Sequence, residues 1–153
     1  MSGTTPMRMS EMVILRVVSK GFVPFILLFG LYVQFHGDFG PGGGFQAGVI
    51  FAAAFILYAL VFGLDNARKV VPDEAVRFGM AAGVLIYGFT GVVNMILGGE
   101  YLNYSTLNDN SVHGQHYGIF AVELGVGVTV CSVMIAIFFS FAGRNHKLDE
   151  LEE

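Results

Sequence analysis

The chain has no tryptophan, a single cysteine and few charges, which make up 13% of its 153 residues. A single cysteine, Cys131, excludes an intrachain disulfide. The absence of tryptophan excludes the tryptophan belt found at many membrane interfaces. Soluble domains carry about twice this charged fraction. Together with a hydrophobic content of 54%, the scarcity of charge indicates an integral membrane protein.

The net charge of −4 is small and is not concentrated in runs. This pattern argues against nucleic-acid binding and against a polybasic lipid-binding segment. The glycine run at 42–44 is not followed by Lys-Ser/Thr, so it is not a phosphate-binding loop.

Four long apolar segments dominate the sequence, at about 13–35, 45–64, 76–97 and 117–142. Crossing roughly 30 Å of hydrocarbon takes about 20 residues. Backbone groups in lipid must be satisfied locally, and these runs are continuous, so we predict helices and not a β-barrel. The predicted fold class is all-α: a single membrane domain over residues 1–153, with four transmembrane helices.

The basic residues predict an orientation for these helices. None of the eight Lys and Arg residues lies in the first loop, His36–Gly44, or in the third loop, Gly98–His116. All of them fall on the opposite side of a four-span arrangement, so both termini and the second loop should be cytoplasmic. The first and third loops should then face outward together.

The first span carries two basic residues, Arg16 and Lys20, which are four apart and share a helix face. One interpretation is that they reach the cytoplasmic interface along their aliphatic stems. The other is that they line a polar path inside a larger assembly. Pro24 removes a backbone hydrogen bond, so a kink is expected there.

The first loop, FHGDFGPGGGFQAG, has an unusual composition for a joint between two apolar spans. Pro41 stops the preceding helix, and Gly42 and Gly43 allow a tight reversal. Gly44 and Gly48 then begin a row of small residues, a pattern that lets helices approach closely in lipid. The turn does not explain why His36 and Asp38 are also present.

Glu123 is the most informative ionisable residue, because it stands in an apolar run without Lys or Arg nearby. A charge at the centre of a span costs about 2.5–3.5 kcal/mol. On a helix, His116 falls within about 20° of Glu123, and His113 about 80° away. Glu123 is either a structural hydrogen-bonding group or part of a proton or cation relay that starts in the outer loop.

A polar row at Tyr87, Thr90 and Asn94 follows one face of the third span. Such groups join neighbouring helices by hydrogen bonds or line a hydrated path. The candidate residues for a proton or cation path are therefore Glu123, His116, His113, His36, Asp38, Lys20 and Asn94.

A metal or haem site is not predicted. His113 and His116 have a spacing that could share an ion, with Glu123 or His36 as third ligand, but no cysteine or further carboxylate accompanies them. Haem held inside a helix bundle needs paired histidines within the membrane, and all four histidines lie at or beyond the ends of the spans. We therefore expect no cofactor.

Two segments carry a family resemblance. HGDFGPGGGFQAGVIFAAAFILY resembles the turn and second helix of the MnhB-type component of multisubunit Na+/H+ antiporters, the Mrp or Mnh type, and HGQHYGIFAVELGVGVTV resembles its fourth-helix region. The resemblance covers about 13–142. It implies a non-enzymatic transporter subunit in the cytoplasmic membrane of a bacterium or archaeon. It also implies partner subunits, among them large complex I-like antiporter subunits, and Na+ and H+ as the transported ions. It brings no catalytic residue.

Two alternatives stay open at this point. Related modules occur in membrane-bound hydrogenases and complex I-like redox complexes, where neighbouring subunits would hold the metal centres. The chain could also be a structural spacer without a role in the ion path.

Overall fold

The computed structural model describes residues 13–37, 42–108 and 110–152, with side chains described as far as residue 144. Within these ranges the chain is helical and has no strand. The helices are α1 (Val13–His36), α2 (Gly44–Phe62), α3 (Leu64–Val70), α4 (Asp73–Ile96) and α5 (Ser111–Glu152), with a 3₁₀ turn at Tyr104–Leu107.

Four helices are long and apolar enough to cross a membrane: α1, α2, α4 and the Ser111–Arg144 part of α5. The prediction of an all-helical chain with four spanning helices is therefore confirmed for the described residues. The side on which the termini lie remains a prediction.

Local capping and backbone geometry place some helix ends where hydropathy did not predict them. α5 begins at Ser111 and not near Tyr117, and the side chain of Asn110 accepts a hydrogen bond from the backbone N–H of Val112 (3.1 Å). The short helix α3 was not predicted. It follows α2 across Gly63, whose φ of 91° breaks the first helix and lets the second begin.

α5 is the central helix of the bundle. It packs against α2 on one side and α4 on the other, whereas α1 packs mainly against α2 and touches α5 less. The most apolar window of α1 is only 11% buried, so this helix shows most of its surface to the surroundings.

Two glycines on α5 allow this central position. Gly125 and Gly127 are two residues apart, so they point about 200° away from each other around the helix. A methyl group built on Gly125 would lie 2.8 Å from the backbone oxygen of Gly83 in α4, and one on Gly127 would lie 3.2 Å from that of Gly44 in α2. The backbones of three helices thus approach closely at one level.

Candidate functional site

Glu123 lies on α5 beside the turn that joins α1 to α2. A methyl group built on Gly37 would lie 2.6 Å from both carboxylate oxygens of Glu123, and one built on Gly43 would lie 2.9 Å from Oε1. The carboxylate therefore occupies space that any other residue at Gly37 or Gly43 would fill. We call Gly37, Gly43 and Gly44 together the glycine turn.

The backbone of the glycine turn is specialised for this contact. Gly43 is buried, with a φ of 118° that side chains disfavour, and its N–H donates to the oxygen of Val33 (3.4 Å). A side chain at Gly44 would overlap the backbone carbonyl of Glu123. One turn further along α2, a methyl group on Gly48 would lie 2.6 Å from the backbone oxygen of Gly127. The glycines therefore bring the start of α2 directly onto α5 at Glu123.

The electrostatic setting of Glu123 follows from the same contact. Gly43 caps α2 without a side-chain hydrogen bond. The first N–H groups of a helix have no partner within it, and this end carries roughly half a positive charge. A carboxylate placed there is favoured by the helix dipole, which opposes the cost of removing its charge from water.

The height of Glu123 in the bundle is set by its contact with the start of α2. α2 has 19 residues, and at about 1.5 Å per residue it is only just long enough to cross roughly 30 Å of hydrocarbon. Glu123 is level with Gly44, the first residue of α2. α5 continues for about three turns beyond this level, so Glu123 lies about three turns from the start of α5 and within its Ser111–Arg144 candidate span.

The histidines lie at the same end of the molecule as Glu123. His36 is half-buried at the end of α1, directly before Gly37, with its ring stacked on Tyr32 at 5.2 Å between centroids. His113 and His116 are exposed on the first two turns of α5, and His116 is about 10 Å from Glu123 along the helix axis. His36 is thus the residue before Gly37, which contacts the carboxylate, and His116 lies about two turns from Glu123 on the same helix.

No metal site emerges from these groups. In the described part of the chain, no three His, Cys, Asp or Glu side chains are grouped so that they could hold an ion.

Other candidate residues lie away from Glu123. Lys20 is exposed and about 25 Å from Gly37 along α1. Asn94 is fully buried, where its Nδ2 donates to the oxygen of Thr90 (2.7 Å) and its Oδ1 accepts from Thr106 Oγ1 (3.2 Å). Asn94 therefore ties the end of α4 to the following loop. Asp38 and Pro41 lie outside the described residues.

Two residues of this region were missed in the sequence. Gly37 was not singled out, although it directly follows His36. Gln34, one turn before Gly37 on α1, is only 4% exposed, and its Nε2 has no hydrogen-bond partner among the described residues. Its Oε1 would lie 2.7 Å from a methyl group on Gly127, one turn below Glu123 on α5. The available signal was a single amide inside the apolar run LYVQFHG.

Comparison with known proteins identifies one family. Residues 14–136 match the model of a domain related to the MnhB subunit of Na+/H+ antiporter. Relatives named "Putative antiporter subunit mnhB2" from Staphylococcus aureus strains Newman and JH1 are each 36% identical over 134 residues, which is 86% of this chain and 94% of the relative. The matched range includes the glycine turn and Glu123. These relatives are antiporter subunits, and they do not favour a hydrogenase or other redox module.

Proposed function

The chain belongs to the family of proteins related to the MnhB subunit of Na+/H+ antiporters, and from this we propose that it is an accessory subunit of a multisubunit, proton-driven Na+/H+ antiporter. It is a multi-pass membrane protein. In this proposal it sits in the cytoplasmic membrane with its termini inside. It contributes Glu123 as a proton or cation relay group at the outer mouth of the ion path.

The observation that supports this role is the contact between the Glu123 carboxylate and Gly37 and Gly43. The half-buried carboxylate lies against glycine backbone at the positive end of α2. Such a position gives access to water on one side and to the bundle on the other.

The path continues from Glu123 along neighbouring polar groups. His36 adjoins the glycine turn, and histidine is a common proton shuttle. Gln34 places an amide one turn deeper between α1 and α5. The onward part of the path lies at the contact with partner subunits, which we place against α1, because its apolar surface is the least covered in the bundle. Large complex I-like antiporter subunits are the partners that the family implies.

Replacing Glu123 by Gln tests the relay. Gln keeps the size and polarity of the side chain but cannot carry a proton as a carboxylate does. We expect the Glu123→Gln complex to assemble, while Na+/H+ exchange falls and its pH profile shifts. Glu123→Asp should retain part of the activity. Exchange is measured in everted vesicles as Na+-dependent dequenching of a pH-sensitive dye, with complex abundance checked by blotting.

Glu100→Gln is the matched control, because Glu100 is an exposed carboxylate in the loop between α4 and α5. It removes the same charge at the same end of the molecule and should leave exchange unchanged. A Glu123→Gln complex with normal exchange and a normal pH profile would show that Glu123 is a packing residue and not a relay.

A further inference from the structure

A cavity of about 170 Å³ opens between α3, α4 and α5, at the end of the bundle away from Glu123. Its polar part is formed by Arg68 of α3 and by Asp73 and Arg77 of α4. Folding brings these charges together, although they come from two separate helices. Two guanidinium groups and one carboxylate give this part of the cavity a net charge of +1.

Arg68 is held in place without using all of its hydrogen-bond donors. Its guanidinium lies over the ring of Phe139, 5.7 Å from the centroid, and the side chain remains 40% exposed. Its nearest acidic partner is Asp73 Oδ1, 3.8 Å from Nε, which is too long for a hydrogen bond. Nε has no hydrogen-bond partner within the described part of the chain. The guanidinium is therefore positioned but not saturated.

Arg77 supplies the second set of donors. It lies four residues after Asp73 on α4 and is exposed. The hydroxyl of Ser140, also at the cavity, already donates to the oxygen of Ala136 (2.8 Å), so the two arginines are the principal donors for an anion. Guanidinium groups bind phosphate oxygens in pairs and with short, charge-assisted hydrogen bonds.

The other part of the cavity is apolar. Val76 and Met80 line it from one face of α4, and Phe139 lines it from α5. Both arginines lie near helix ends, where a membrane-spanning bundle meets the headgroup layer. A ligand with an anionic head and a hydrocarbon tail matches both parts, and basic pockets between spanning helices are known to bind such lipids.

We propose that this cavity binds an anionic phospholipid, with its phosphate at Arg68 and Arg77 and an acyl chain along Val76 and Met80. The sequence argues against a polybasic lipid-binding segment, and this site is of a different kind, because only two arginines form it and they come from different helices. The site is independent of the relay proposed for Glu123.

The test measures lipid binding to the full chain in a mild detergent by native mass spectrometry. We expect phosphatidylglycerol to bind about fivefold more tightly than zwitterionic phosphatidylcholine, and Arg77→Gln to weaken phosphatidylglycerol binding about fivefold. Lys69→Gln is the matched control, since Lys69 is exposed and adjacent to Arg68 in sequence but does not line the cavity. Met80→Phe, which keeps both arginines and narrows the apolar part, should also weaken binding.

Three results would overturn the proposal. Equal affinity for phosphatidylglycerol and phosphatidylcholine would show that the cavity does not recognise the charge of the lipid headgroup. An equal loss in Lys69→Gln and Arg77→Gln would mean that binding depends only on general surface charge. The third result is displacement of bound phosphatidylglycerol by millimolar inorganic phosphate as effectively as by excess phosphatidylglycerol. That result would mean that the site takes a soluble phosphate and not a lipid.

Discussion

A single methyl group added at Gly37 should disturb the candidate site more than most substitutions in this chain. The new Cβ would lie 2.6 Å from both carboxylate oxygens of Glu123 and 2.8 Å from the Cα of Gly43. The carboxylate end of Glu123 can rotate away, but the backbone of Gly43 can move only with the turn. Overpacking of this kind costs about 1–3 kcal/mol, so we expect Gly37→Ala to lower the free energy of unfolding by that amount.

The assay is reversible unfolding of the purified chain in mixed micelles, followed by helical circular dichroism. A double-mutant cycle with Glu123→Ala isolates the contact, because that substitution removes the carboxylate. In the Glu123→Ala background the Gly37→Ala substitution should cost about 1 kcal/mol less, since contacting residues couple by roughly 0.5–3 kcal/mol. The remaining cost reflects the approach of Gly43.

Gly21→Ala is the control for the general effect of replacing glycine. Gly21 lies within α1, and a methyl group there would meet nothing within 4 Å. Alanine is a better helix former by about 1 kcal/mol, so this variant should be neutral or more stable. Our account of the glycine turn would be refuted if Gly37→Ala were as stable as Gly21→Ala, or if its cost were the same with and without the Glu123 carboxylate.

Two further predictions concern orientation and alkaline stability. In a variant without the native cysteine, a cysteine introduced at Asn108 should react with an impermeant thiol reagent added from outside. A cysteine introduced at Asn66 should not react. Labelling at Asn66 alone would show that the orientation is the reverse of the predicted one. Burial, helped by two neighbouring tyrosines, raises the pKa of Tyr104 above its ordinary value of 10.0. The fold therefore favours the neutral phenol, so this contribution to stability is present below about pH 10 and is lost as the pH rises through the folded-state pKa. Tyr104→Phe should reduce the loss of stability above about pH 10 in melting experiments, and an unchanged pH dependence would contradict this.

Hydropathy was sufficient to predict the four spanning helices, because each is a continuous apolar run whose backbone must be satisfied within lipid. It could not predict α3, whose seven residues include Asp65, Arg68 and Lys69 and carry no apolar period. Nor could it fix the start of α5, which depends on a side-chain cap at Asn110.

The candidate site was predicted only in part, for a physical reason. Helical periodicity gives the face on which Glu123 lies, but its height relative to α2 depends on which residue of α2 lies opposite. The residue of α2 opposite Glu123 is Gly44. This contact joins residues far apart in the sequence, so it cannot be predicted from the periodicity of α5 alone. For Asn94 the sequence left two roles open, and its hydrogen bonds to Thr90 and Thr106 place it in the connection between α4 and its loop.

The central position of α5 also limits how the length of the chain can vary. Inserting one residue between Glu123 and Gly125 would turn Glu123 by about 100° relative to both glycine contacts and shift it by about 1.5 Å. The carboxylate would then leave Gly37 and Gly43, while Gly125 and Gly127 stayed against α4 and α2. A substitution can be offset by a neighbour, but such a change of register cannot. An insertion or deletion in this stretch of α5 therefore disrupts more contacts than a single substitution does, whereas lengthening the helix beyond Arg144 would leave all of these contacts in place.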